Sequence, residues 1–271
     1  MSRAVRREQH VVALMGRFGN QLFQVSFSRW LARTTGRRVL YDLCMVGGPD
    51  GVEGPDEFRR RVIDRSTWGI ERSIKPTGRL VDLGRLIRLA EGPHRVVIDG
   101  SLGGHGSLNS LRPAWWFGYW QQEVFAQSAK EEISSLFPPD AISRPRAPKP
   151  TIGVHVRRGD YVGLGNALSA DWYWAAVQQA RTLLGEKGTI VVQSDDPEWC
   201  RMNLPFADFV APASVEPMAA FSELASCNCL VMSASTFSWW AGFLGGMPVV
   251  YPDWHSFPPA PHGWFRLSTH L

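Results

Sequence analysis

The sequence predicts an α/β protein with two doubly wound halves that face a cleft. Three observations lead there. Short apolar runs of strand type alternate with longer stretches of helical spacing, and the alternation resumes after an interruption. The interruption, LFPPDAISRPRAPKP from Leu136 to Pro150, has no periodicity and reads as a linker. The 271 residues suffice for two domains of ordinary size. The expected division is an N-terminal domain over residues 1–145 and a C-terminal domain over residues 146–271.

MSRAVRREQH reads as a frayed basic tail. HVVALM (His10–Met15) then reads as a buried strand, and NQLFQVSFSRWLARTTG as a helix ending on Gly36. RRVLYDL follows as a second strand, which completes a βαβ unit. Residues Gly47 to Gly106 are glycine-rich and poorly periodic, apart from a strand in HRVVIDG (His94–Gly100). Past the linker, TIGVHV is a strand and SADWYWAAVQQARTLLG a helix, with Ser169 as its cap and Gly185 past its end. GTIVVQS is a strand, DDPEWCRMNL opens a helix, and ADFVAPA holds a short strand. EPMAAFSELASC, NCLVMSAS, TFSWWAGFLGG and PVVYP continue as helix, strand, helix, strand. Ligands of such sheets bind outside the carboxyl ends of the strands, so the strand-to-helix turns are the places to look.

Four turns stand out. MGRFGNQLFQ (Met15–Gln24) bears Gly16 and Gly19 before a helix start, where a backbone can approach an anion; without GK[ST] it is not a P-loop. HVRRGDY sets Arg157 and Arg158 side by side at the end of a buried strand. Strand alternation puts His155 and Arg157 on one face and turns Arg158 the other way, so that one arginine meets an anion while its neighbour pairs with Asp160. In VVQSDDPEWC, Pro197 suits the first helical position, so Asp195 and Asp196 are either helix caps or a carboxylate that reads the paired N–H donors of guanine. MSASTFSWWAGFL delivers Ser233, Ser235, Thr236 and Ser238 to the start of an apolar helix, more hydroxyls than one cap needs.

Composition narrows the function classes. The net charge is +4 and the basic residues are dispersed, which argues against nucleic acid and suits an anionic ligand or a membrane surface. Cys44, Cys200, Cys227 and Cys229 form no zinc-type pair and fit buried thiols of a reducing compartment. No stretch reads as an export signal or a spanning helix, so the RGD within HVRRGDY carries no adhesion meaning. A basic strand end, two helix starts and an acidic base reader share one natural ligand, a nucleoside diphosphate.

At these residues the chain resembles the α-1,2-fucosyltransferase family, within the wider α-1,2/α-1,6/protein-O-fucosyltransferase superfamily. GRFGNQLFQ, HVRRGDY, SDDPEWC and SASTFSWWAGFL look like its signature blocks, and GYWQQEVF and LSADWYWAAV fit lesser ones, all in the family's order. The resemblance implies a GT-B-like fold of two Rossmann-type domains, an acceptor-side N-terminal domain and a C-terminal domain that binds GDP-fucose. It implies inversion at the anomeric carbon, no metal and no other cofactor. By position it implies that Arg157 neutralises the donor diphosphate, with Arg158 beside it, and that His155 lies near the guanine. Asp195 or Asp196 falls where the guanine-binding carboxylate lies, and Ser235, Thr236 and Phe237 fall at the diphosphate turn. Asn20 falls in the N-domain turn that meets the diphosphate across the cleft, and Asp160 is the candidate base for the acceptor hydroxyl. The implied acceptor is a terminal galactoside of a cell-surface glycan, modified in the cytoplasm with peripheral contact at the inner membrane face. Two departures stand: the first block reads GRFGNQ where α-1,2 enzymes usually have GGLGNQ, and Gly47 to Gly106 aligns with nothing in the family. Three other readings compete. One is a related enzyme with a different GDP-sugar, acceptor or linkage. Another is a non-catalytic sugar-binding protein, suggested by PAWWFGYW. The third, a nucleic-acid binder, is disfavoured by the charge.

Overall fold

The computed structural model describes residues 9–42, 72–74, 96–98, 111–135, 137, 142, 150–185, 187–253 and 260–269. The basic tail before Gln9, Cys44 and nearly all of the expected linker lie outside the described residues. The chain forms two compact units, Met1–Leu136 and Phe137–Leu271. Phe137 belongs to the second unit, where its ring stacks on Phe221 at 4.8 Å.

The first unit carries a parallel sheet of five strands: β1 (His10–Ala13), β2 (Val39–Asp42), β3 (Arg72–Ile74), β4 (Val96–Ile98) and β5 (Trp115–Phe117). Their order is β3-β2-β1-β5-β4. Helix α1 (Phe18–Thr35) crosses from β1 to β2 and ends where Gly36 takes the left-handed conformation, φ 65°, that a side chain resists. The buried face of α1 meets an aromatic cluster. Phe27 stacks on Trp120 at 4.2 Å and meets Trp116 and Phe125 edge-on. Two short helices, α2 (Glu123–Ser128) and α3 (Lys130–Ser134), close this layer. Trp116 and Trp120 are therefore core residues, and β5 is a strand inside the aromatic stretch PAWWFGYW. Buried in the core, these two tryptophans offer no face to a sugar, while Trp115, Phe117 and Tyr119 are half-buried.

The second unit repeats the design with six parallel strands: β6 (Thr151–Val156), β7 (Thr189–Ser194), β8 (Phe209–Val210), β9 (Cys229–Val231), β10 (Val249–Pro252) and β11 (Phe265–Leu267). Their order is β11-β10-β9-β6-β7-β8. The short helix α4 (Gly159–Gly163) follows β6 directly. Helix α5 (Ala170–Leu184) begins on Ser169, whose hydroxyl accepts the Trp172 N–H, and ends on Gly185 at φ 71°. One sheet face packs Ile152, Val154 and Val156 against Trp172, Tyr173 and Val177 of α5. Helices α6 (Pro197–Asn203), α7 (Pro217–Ser226) and α8 (Thr236–Gly245) complete the wrap. The opposite sheet face is filled by α7, where a Cβ on Gly153 would sit 2.8 Å from Cys227 Sγ. Apolar side chains on both faces explain why these strands read as continuous hydrophobic runs rather than alternating ones.

Candidate functional site

In the second sheet the chain runs from β6 outward to β7 and β8, and from β9 outward through β10 to β11 on the other side. The order therefore reverses between β6 and β9. In a doubly wound sheet that reversal opens a crevice at the carboxyl ends of the strands. The turns after β6, β7 and β9 all lie on this edge of one sheet, and they carry nearly every candidate residue read from the sequence.

Arg157 leaves the end of β6 and is held from two sides. Its Nη1 lies 2.6 Å from Asp195 Oδ2 and its Nη2 2.5 Å from Asp160 Oδ1. The Asp160 contact is a hydrogen bond and the Asp195 contact an ion pair, and together they use at most two of the five guanidinium N–H donors. The side chain is 17% exposed, so these charges interact more strongly than they would in open water. Arg158 takes different partners. Its Nε lies 3.2 Å from Asp196 Oδ2, and its guanidinium stacks over the Trp199 ring at 3.9 Å. The backbone N–H of Arg158 donates to Asp195 Oδ1 at 2.8 Å. The expected pairing of Arg158 with Asp160 is thus corrected. Asp160 lies in the first turn of α4 and meets Arg157, which precedes the helix.

The Asp195–Asp196 turn is shaped by this pairing. Asp196 caps α6, accepting the Trp199 N–H at 3.1 Å, and Pro197 occupies the first helical position. Its other oxygen holds Arg158. Asp195 places one oxygen on Arg157 and the other on the Arg158 amide. Gly159 is fitted to this crowding, since a Cβ there would lie 2.7 Å from Asp195 Oδ2. Among the described residues no cluster of three or more His, Cys, Asp or Glu side chains has the arrangement of a metal site.

The β9–α8 turn engages most of its hydroxyls internally. Ser233 Oγ and His155 Nδ1 share a buried hydrogen bond of 2.8 Å across the β6–β9 reversal. Burial lowers the His155 pKa from 6.5 to about 4, against an opposing pull from Asp195, so the imidazole is neutral near neutrality. Ser235 caps α8 by accepting the Phe237 N–H, and Ser238 returns its hydroxyl to the Ser235 carbonyl at 3.1 Å. Thr236 and Phe237 open the helix, with the Phe237 ring 5.4 Å from that of His155. Capping and one histidine contact therefore account for Ser233, Ser235 and Ser238. The positive end of α8 sits beside them.

Asn20 belongs to the first unit, in the first turn of α1. Its Oδ1 accepts a hydrogen bond from Gln121 Nε2 at 2.9 Å. Two further amides fix the preceding turn. Gln21 donates to the Gly16 carbonyl at 3.0 Å, and Gln24 accepts the Met15 N–H while donating to the Gly118 carbonyl at 2.9 Å. The sequence reading missed Gln21 and Gln24. The available signal was three side-chain amides, Asn20, Gln21 and Gln24, within five residues at the start of the helix. Gly16 sits at φ 69°, and a Cβ there would fall 2.6 Å from Asn20 Nδ2. Its glycine is required twice over. The described cysteines, Cys200, Cys227 and Cys229, are buried free thiols. Burial pushes Cys227 up to about 11 and Cys229 up to about 12, which leaves both unreactive.

Two units, each built on a parallel sheet whose strand order reverses once, define a protein of GT-B-like fold. Its architecture is similar to that of E. coli ADP-heptose LPS heptosyltransferase II, with a TM-score of 0.51 at 14% identity over 95% of this chain and 90% of that one. Residues 112–257, more than half of the chain, match the model of glycosyl transferase family 11, and the chain belongs to that family. It is 33% identical over 143 residues to galactoside alpha-(1,2)-fucosyltransferase 1 of Alouatta belzebul, covering 45% of this chain and 36% of that protein. To the enzyme of the same name from Saimiri sciureus it is 34% identical over 136 residues, again across 45% and 36%. The aligned stretch thus spans about a third of the length of these relatives.

Proposed function

We propose that this protein is an inverting glycosyltransferase that moves fucose from GDP-fucose to the 2-hydroxyl of a terminal β-galactoside. Support comes from the family membership, from the activity in its relatives' names, and from the site at the β6–β9 reversal. The observation that carries the reading is Arg157. It is a permanent cation, only 17% exposed, held in place by two carboxylates with N–H donors remaining on its guanidinium. Such a group binds phosphate oxygens in pairs.

The chemistry follows from where charge develops. The bond from the fucose anomeric carbon to the β-phosphate oxygen breaks, and both electrons leave with GDP. A bond from the acceptor oxygen forms on the opposite face, and the acceptor hydroxyl gives up its proton. Arg157 and the N–H groups at the start of α8 stabilise the charge growing on the leaving phosphate. No metal is needed in this account, because the fixed cation and the helix start supply the positive field. Asp160 holds Arg157 by its contact at 2.5 Å, and we assign it also as the acceptor of the hydroxyl proton. Asp195 or Asp196 reads the guanine through the lone pairs that the arginines leave over, and neutral His155 lines the base side. Among the described residues no helix is long and apolar enough to cross a membrane. We propose, from the family resemblance, that the protein works in the cytoplasm with peripheral contact at the inner membrane face.

The test is transfer from a panel of GDP-sugars and UDP-sugars to β-galactosides, with and without EDTA. Fucose transfer from GDP-fucose that persists in EDTA is expected. Transfer of another sugar in preference, or restoration only by manganese, would replace the donor or the metal-free mechanism.

A further inference from the structure

We infer that Tyr161 is the positioning residue that ties the arginine turn to the hydroxyl turn across the β6–β9 reversal. The inference rests on the donor reading above for its functional meaning, and on the ligand-free geometry for its structural content. Tyr161 ends the motif HVRRGDY, and none of the roles assigned so far uses it. It stands in the five-residue helix α4, directly after the two arginines. Its hydroxyl donates to the backbone carbonyl of Ala234 at 2.7 Å. Ala234 is buried and directly precedes Ser235, the cap of α8. The same ring lies against Arg157, whose guanidinium carbon is 5.7 Å from the ring centroid. One side chain therefore touches both groups assigned to the diphosphate: the guanidinium through its face, and the helix start through its hydroxyl.

The anchor is well made at both ends. The Ala234 turn is tight, since the Ser235 N–H returns to the Ser233 carbonyl at 2.7 Å. Helix α4 is closed by the Val162 N–H on the Arg158 carbonyl at 2.9 Å and the Asn166 N–H on the Tyr161 carbonyl at 2.8 Å. Burial raises the Tyr161 hydroxyl above the ordinary tyrosine value, so it stays protonated and able to donate. The His155–Ser233 bond crosses the same reversal deeper in the sheet. Tyr161 supplies the outer of two fastenings. Without its hydroxyl the spacing between Arg157 and the α8 start is held from below only, and a preorganised anion site loosens.

The experiment uses the full chain carrying Tyr161→Phe, which removes only the hydroxyl and keeps the ring beside Arg157. The exposed neighbour Val162→Ala serves as the control. Amide hydrogen exchange over Ser233–Trp239, read without ligand, is expected to quicken about five- to tenfold in Tyr161→Phe, the factor one hydrogen bond is worth. GDP, titrated by calorimetry, is expected to bind about tenfold more weakly. The ligand-free melting temperature is expected to stay within about 2 °C of the unsubstituted protein. Val162→Ala is expected to leave all three unchanged. Unchanged exchange across Ser233–Trp239 would overturn the coupling. Unchanged GDP affinity beside a lowered melting temperature would reduce Tyr161 to a stabilising residue and overturn its positioning role. If the unsubstituted protein binds no GDP, the donor reading falls by that result alone, and the exchange measurement still decides whether Tyr161 couples the two turns.

Discussion

Replacing Arg157 with alanine separates catalysis from stability in a way the geometry sets quantitatively. On the stability side, the substitution strips Asp195 and Asp160 of their partner. Asp160 is 44% exposed and is solvated at little cost. Asp195 keeps the Arg158 amide at 2.8 Å. The net loss is about 1 kcal/mol, the scale of a half-exposed ion pair. On the catalytic side, the proposed contact with the leaving phosphate would strengthen as that phosphate gains charge, so its loss is expected to lower turnover by about 10²–10³-fold, or roughly 3–4 kcal/mol of barrier. Arg157→Lys is expected to recover only part of this, because a point charge does not replace a planar fork held by two carboxylates. Arg158→Ala inverts the pattern. It removes the stack on Trp199 at 3.9 Å and the contact with Asp196, so it is expected to cost about 1–2 kcal/mol of stability while turnover falls little. Steady-state fucose transfer and thermal melting of the three variants decide the matter. Near-normal turnover in Arg157→Ala, with abolished turnover in a well-folded Arg158→Ala, would reverse the two assignments. Normal transfer in both would place the diphosphate elsewhere.

Four other outcomes are expected. GDP raises the melting temperature and UDP much less, because a site that hydrogen-bonds guanine penalises a base that leaves those bonds unmade; equal shifts would remove Asp195 and Asp196 as base readers. Transfer continues in excess EDTA, and loss restored by manganese would make the Asp195–Asp196 turn a metal site. His155, at 6.5 unfolded and about 4 folded, is neutral in both states at higher pH; as pH falls from 6.5 towards 4 the unfolded chain takes the proton first, so stability declines across that window. The decline amounts to roughly 3 kcal/mol at most, and urea unfolding should show it shrinking in His155→Gln; equal acid sensitivity in both proteins would count against a buried neutral histidine. Gly16→Ala, forced to φ 69° with its Cβ against Asn20, is expected to lower stability by about 1–3 kcal/mol, and an unchanged denaturation midpoint would show that the turn relaxes freely.

What the sequence revealed depended on whether the information was local. Ser169 and Gly185 mark both ends of α5 because a cap hydroxyl and a left-handed glycine act within one turn of their own positions. Pro197 after Asp196 located the start of α6 for the same reason. Partner choice among charges could not be read from strand alternation. Asp160 meets Arg157, which precedes the helix, because the chain turns into α4 at Gly159, and nothing periodic announces a helix of five residues. Strand β5 is hidden because its three residues lie inside a run of aromatics too short to show a period. Gln21 and Gln24 resemble surface residues of an amphipathic helix, yet both are buried, and their partners Gly16 and Gly118 belong to backbone the helix pattern cannot see. Tyr161 and Ala234 are 73 residues apart, and only the reversal of strand order between β6 and β9 brings them into contact.

The central claim is that the site at this reversal transfers fucose from GDP-fucose with inversion. The most direct measurement is to incubate the protein with GDP-fucose and a β-galactoside and to determine the product's linkage and anomeric configuration by NMR. The account predicts fucose on the galactose 2-hydroxyl, with the anomeric configuration opposite to that in the donor and GDP released in equal amount. Retained configuration, or donor hydrolysis with no transfer to any galactoside, would contradict it.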